Sequence, residues 1–156
     1  MTAPIEDHAW MKVALRLAEF ATTRHEVPVG AVMVHHGKVV GTGFNLRETH
    51  QDPTAHAELI AIKEASRRLQ TWRLTDCTLY VTLEPCTMCA GLLHQSRIGR
   101  VVFGASDPKS GALGSLYSLH DDSRLNHQFP VTKDIQQEAS AALLKNFFQQ
   151  RRKTSR

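Results

Sequence analysis

Leu79-Tyr80-Val81-Thr82-Leu83-Glu84-Pro85-Cys86-Thr87-Met88-Cys89 is the stretch that decides how this chain folds. Leu79 to Leu83 is short and apolar, as a buried strand is. Pro85 suits the first turn of a helix, where its missing N–H costs nothing. Thr87 to Gln95 continues that helix, with Ala90 and Gly91 small enough for close packing. The strand therefore delivers Cys86 and Cys89 to a helix N-terminus, and at i and i+3 they share one face. Partial positive charge there lowers a thiol's pKa and favours the thiolate that a metal requires.

Upstream, Thr54-Ala55-His56-Ala57-Glu58 supplies the complement. Asp52-Pro53-Thr54 reads as the cap of a helix over Pro53 to Leu69, with Ala57, Ile60, Ala61 and Ala65 on its inner face. His56, Cys86 and Cys89 make three zinc ligands. A closed structural site uses four protein ligands, whereas a catalytic one uses three and leaves a position for water. Glu58 is two residues beyond His56 and does not share its face on a regular helix. It is assigned to the water rather than to the ion. Taken alone, C-x-x-C also suits a redox pair, and His-x-Glu recurs by chance. In this order they form the known signature of the zinc nucleobase deaminases.

The remaining segments frame that site. Asp7 to Thr23 has the period of an amphipathic helix through Trp10, Val13, Ala14, Leu17 and Ala21, widened by Met11, Leu15 and Phe20. Val29 to His35 and Lys38 to Asn45 form a hairpin around His36-Gly37. Neighbouring strand residues point to opposite faces, so His35 and His36 are expected as a solvated turn rather than a chelating pair. Val101-Val102-Phe103 is a further strand. In the loop Ala105 to Ser118, Asp107 to Gly111 reads either as a groove lining or as a simple turn. His120, Asp121, Asp122 and His127 have a metal-like composition without the spacing of a site. Phe129-Pro130-Val131 reads as an edge strand. Asp134 to Arg152 reads as a last helix, with Ile135, Ala139, Ala142, Leu143 and Phe147 in one stripe. The order predicts an α/β fold, a mixed sheet with helices on both faces.

Length and composition narrow the classes. The 156 residues predict one domain, 1–156, and the 42% hydrophobic content supports a real core. Three cysteines do not suggest a disulfide framework; Cys77 reads as a small buried residue at a strand start. No apolar run approaches the roughly 18–20 residues that span a bilayer, and Met1 to Asp7 lacks a signal pattern, so the expected location is the cytoplasm. The net charge of +4 is compatible with an RNA partner. The basic end Arg151-Arg152-Lys153-Thr154-Ser155-Arg156 reads either as a solvated tail or as a nucleic-acid contact.

Over nearly its whole length the chain resembles the bacterial tRNA-specific adenosine deaminases, a branch of the cytidine deaminase-like superfamily. The likeness is carried by Glu26 to Val32, Asp52 to Glu58, Leu79 to Gly91, Ser96 to Gly104, and Phe147-Phe148 with Arg151-Arg152. It implies a three-layer α/β/α sandwich and one zinc ion per subunit, with Glu58 as the catalytic acid–base. It implies hydrolysis of adenosine to inosine at the wobble position of a tRNA anticodon, in a homodimer. It also implies substrate contacts at Asn45, Ala57, Phe148, Arg151 and Arg152. From the residues alone, Asn45 equally starts a turn, and Phe147 and Phe148 are most economically core residues. The zinc motif by itself also fits a deaminase of free guanine, cytosine or cytidine. A zinc-folded, non-catalytic RNA-binding subunit would keep the ligands without needing Glu58.

Overall fold

The computed structural model describes residues 5–154. In chain order the elements are α1 (Ile5–Thr23), β1 (Gly30–His35), β2 (Lys38–Phe44), α2 (Arg47–His50) and α3 (Ala57–Leu69). They continue with β3 (Cys77–Leu83), α4 (Thr87–Gln95), β4 (Arg100–Ala105), β5 (Val131–Thr132) and α5 (Gln137–Thr154). The strands form one sheet in the order β2-β1-β3-β4-β5. β1 runs antiparallel to β2 and β3, while β3, β4 and β5 are parallel.

Alternation along the strands builds a core on each face of the sheet. Ala31, Met33, Leu79, Val81, Val101 and Phe103 face α3 and α4, meeting Ala61, Ala65, Ala90 and Leu93. Val32, Val34, Tyr80 and Val102 face the other way, towards Met11, Ala14 and Leu15 of α1 and Leu143 of α5. This is the expected three-layer α/β/α sandwich. α3 lies close on the sheet because Gly41 and Gly43 back onto the carbonyls of Ala61 and Ala57, where any Cβ would overlap. That contact fixes the height of the residues beginning α3.

Several boundaries and faces differ from the sequence reading. The buried face of α1 is Met11, Ala14, Leu15, Ala18 and Ala21, while Phe20 is 60% exposed. Asp7 rotates the helix: its carboxylate accepts the Tyr80 hydroxyl at 2.9 Å and is clamped by the Arg100 guanidinium. α3 begins at Ala57, not Pro53, because Asp52 accepts the Thr54 N–H and hydroxyl at 2.8 and 2.7 Å and closes a separate turn. Its inner face takes Ile62 rather than Ile60. α4 has the expected span, Thr87–Gln95, but Pro85 stands one residue before the cap, Cys86, rather than in the first turn.

At the far end, α5 begins at Gln137 rather than Asp134. Asp134 and Gln136 are left-handed, with φ of 65° and 59°. The kinks lower buried Ile135 onto the sheet, where its N–H reaches the Phe103 carbonyl at 3.3 Å. Ser140 is the buried residue of α5, and Ala139 and Ala142 are exposed. The edge strand is Val131–Thr132, with Phe129 in the core instead. Among the described residues, His120, Asp121, Asp122 and His127 do not gather into one group of potential metal donors. Asp122 pairs with Arg124, and the His127 ring bonds the Ile98 carbonyl.

Candidate active site

Two helix N-termini meet at the C-terminal end of β3. His56 caps α3 with φ −84° and ψ 152°, and Cys86 caps α4 with φ −76° and ψ 178°. Neither makes a side-chain capping bond, and the two side chains point at one another. His56 Nδ1 lies 3.6 Å from Cys86 Sγ and 3.5 Å from Cys89 Sγ. With Zn–S near 2.3 Å and Zn–N near 2.0–2.1 Å, the N···S edge of a tetrahedral site is roughly 3.5 Å. The spacing matches the edge of such a coordination site. The donors fit a zinc ion.

The electrostatics agree with the donor set. The S–H of Cys89, directed at Cys86, lowers the Cys86 thiol to about 4, with His56 helping against the cost of burial. The same bond and burial push the Cys89 thiol up. His56 is raised, chiefly by its bond to Cys86. Glu58, in the first turn of α3, is 5% exposed, and burial raises its carboxyl above the ordinary range. It sits against the Cys89 thiol without belonging to the three-donor group.

His56, Cys86 and Glu58 line a cavity of about 140 Å³, while Cys89 is fully buried. An engineered apolar cavity of about 150 Å³ holds a single benzene ring, so this space suits one aromatic ring. Val27, Val29 and Leu83 supply apolar wall; Asn45, Arg47, Asp107 and Ser110 add polar groups around the ligand donors and Glu58.

Residues 5–152 match the MafB19-like deaminase family. A tRNA-specific adenosine deaminase of Haemophilus influenzae is 49% identical over 147 residues, covering 94% of this chain and 85% of the relative. Its counterpart from Bacillus subtilis is 47% identical over 148 residues, covering 95% and 92%. A solved structure from a study of A-to-I editing by tRNA deaminases at the wobble position superposes with a TM-score of 0.84. That structure is 40% identical, covering 87% of this chain and 99% of its own. The chain belongs to the tRNA-specific adenosine deaminase family.

In this deaminase the structure brings together His56, Cys86, Cys89, Glu58, Asn45 and Ala57. The Asn45 amide is fixed from both ends: its Oδ1 accepts the Arg47 N–H at 3.1 Å and its Nδ2 donates to the Val27 carbonyl at 3.4 Å. The α5 residues lie elsewhere. Arg151 stands 5.8 Å over the Phe147 ring, and both line a separate groove with His25 and Glu48. Phe148 meets Phe147 edge-on and is 41% exposed, and Arg152 is also exposed. Arg47 faces the cavity and its neighbour Glu48 faces the groove, so α2 is the shared wall.

Two carboxylates that the sequence reading passed over organise this site. Fully buried Glu26 accepts the N–H groups of Glu48 and Thr49 at 3.1 and 2.6 Å, fixing the start of α2 and hence Arg47. Burial opposes its charge, but those bonds win and hold its carboxyl below the usual range. Glu84, 3% exposed, accepts the N–H groups of Asp107, Leu113 and Ser115 at 3.0 Å, and the Ser115 hydroxyl. It thereby folds the loop that carries Asp107 and Ser110 to the cavity. A charged residue set between an apolar strand and a proline was the available signal.

Proposed function

We propose that this deaminase hydrolyses adenosine to inosine at the wobble position of a tRNA anticodon, using zinc held by His56, Cys86 and Cys89. The observation that carries the reading is the buried Glu58 carboxyl beside the three donors, on the wall of a cavity that also presents Asn45 and the apolar Val27 and Leu83. A bound zinc ion would supply a Lewis acid that brings water towards hydroxide at neutral pH. Glu58 takes the water proton and delivers it to N1 of adenine as the oxygen adds at C6. It then takes the proton of the hydroxyl added at C6 and hands it to the amine; the C6–N bond breaks, the carbonyl forms and ammonia leaves. Its raised pKa suits an acid–base group that must both accept and donate near neutrality.

The target atom is inaccessible in a stacked helix, so the base must be splayed from a loop, as an anticodon loop permits. Asn45 presents its pinned amide to the ring, and Ala57 leaves room beside it. Phe148, Arg151 and Arg152 are assigned to the flanking RNA through stacking and phosphate contact, outside the base cavity. A homodimer of 156-residue single-domain subunits, working in the cytoplasm, belongs to the same proposal. Among the described residues, no helix is long and apolar enough to cross a membrane.

The test is inosine formation in an anticodon stem-loop with adenosine at the wobble position, beside free guanine, cytosine and cytidine. Inosine in the RNA alone is expected. Glu58→Ala is expected to lower the rate by about 10²–10⁴-fold while retaining its zinc. Ammonia from a free base with the RNA untouched would overturn the substrate. Loss of the metal from the variant would overturn the role given to Glu58.

A further inference from the structure

A second cluster of metal-ligating side chains lies at the other end of β3. The hairpin between β1 and β2 turns on His36 and Gly37, whose φ values of 48° and 75° are both positive, as a tight two-residue hairpin demands. The left-handed His36 leaves the strand's alternation. Instead of pointing away from His35, its ring meets the His35 ring edge-on, with centroids 4.1 Å apart. In register, His35 pairs with Cys77, which brings Asp76 to the same tip. The ligand atoms of His35, His36 and Asp76 all lie within 4.8 Å of one another. Among the described residues, none of the three side chains is committed to a hydrogen bond or ion pair. The tip is a solvated turn as expected, but at His36 the ring does not point away from its neighbour as strand alternation would require.

We propose that this tip is a second metal site, taking a divalent transition-metal ion such as nickel, cobalt or zinc on His35, His36 and Asp76. Two imidazoles and a carboxylate select ions of intermediate softness; calcium and magnesium prefer all-oxygen shells. His36 and Asp76 are exposed and His35 is half-buried, so water completes the coordination and the ion exchanges with solvent. Cys77 is 1% exposed within the core and is not a fourth ligand. The seven residues of β3 separate this site from Glu84-Pro85-Cys86, roughly 20 Å at ~3.3 Å per residue. Occupancy at the tip therefore leaves the catalytic cavity undisturbed, and the inference stands independently of the substrate proposed above.

The experiment is calorimetric titration of the zinc-loaded protein with Ni²⁺, with released zinc measured in parallel. One Ni²⁺ per chain is expected to bind while the original zinc stays. In NMR, the ring protons of His35 and His36 broaden before those of other histidines. Loss of even an outer-sphere partner costs a metal site about 10–100-fold in affinity. His36→Ala and Asp76→Asn should thus each weaken Ni²⁺ at least about tenfold, leaving the deamination rate unchanged. No binding, or equal binding by both variants, overturns the site. One zinc released per Ni²⁺ bound, equally in wild type and in His36→Ala, also overturns it, because the ion then entered the His56 cluster.

Discussion

At the scale of single residues, the proposed zinc would compete with protons for the same lone pairs. His56 is raised chiefly through its bond to Cys86, and Cys89 is raised by the bond it makes to Cys86 and by burial. Zinc requires both sulfurs as thiolates and a free imidazole nitrogen, so binding must expel these protons. His56 titrates above its ordinary 6.5, and acidification below that value fills the site with protons. Zinc affinity should therefore fall by roughly tenfold per pH unit for each proton displaced. Competition with a chelator at pH 8 and pH 6 measures this directly. A dissociation constant unchanged across that interval would mean that the donors are already deprotonated in the free protein. The clustering of His56, Cys86 and Cys89 beside Glu58 was legible in the sequence because two short local spacings set them at the starts of two neighbouring helices. Asp7, Glu26 and Arg47 were not, since their partners or neighbours in space are distant in the chain; Asp7 meets Arg100 across 93 positions.

At the scale of elements, the loop after β4 depends on one side chain. Glu84 accepts three backbone N–H groups and a hydroxyl, and a Cβ on Gly111 would overlap its carboxylate. Each buried donor left unpaired costs about 1–3 kcal/mol. Glu84→Ala should release residues 107–115 while leaving Cys86 and Cys89 in place. Hydrogen exchange is expected to accelerate across that loop, with kcat/KM falling and zinc retained. Gly111→Ala should reproduce the loop effect by displacing the carboxylate instead of deleting it. Unchanged protection of 107–115 in Glu84→Ala would show that the loop is held by other contacts. The strands and α4 were readable because apolar runs and alternation mark them. The starts of α3 and α5 were not: a side-chain turn at Asp52 and left-handed backbone at Asp134 and Gln136 end the helical pattern where composition continues it.

At the scale of the whole molecule, the layers were predictable because each strand sends its apolar residues to both faces, which demands a helix layer on each. What the period could not show is how α1 is locked to the sheet. Asp7 on α1 meets Tyr80 on β3 and Arg100 on β4, with the Asp7–Arg100 separation 2.6 Å. Burial disfavours the Asp7 charge, but the bonds from Arg100 and Tyr80 outweigh it and hold the carboxyl below its usual 3.8. A carboxyl that is more acidic folded than unfolded contributes stability above the unfolded value and loses it as pH falls towards the folded one. Asp7→Asn should destabilise the protein at pH 7 by less than the roughly 3–5 kcal/mol of a fully buried pair, because Arg100 is 28% exposed. Urea unfolding of both proteins across the acid range gives the decisive comparison. The gap between wild type and Asp7→Asn should hold from pH 7 to about 5 and narrow below the unfolded carboxyl value. A gap that stays constant down to pH 2 would assign the contribution of Asp7 to shape and hydrogen bonding rather than to its charge.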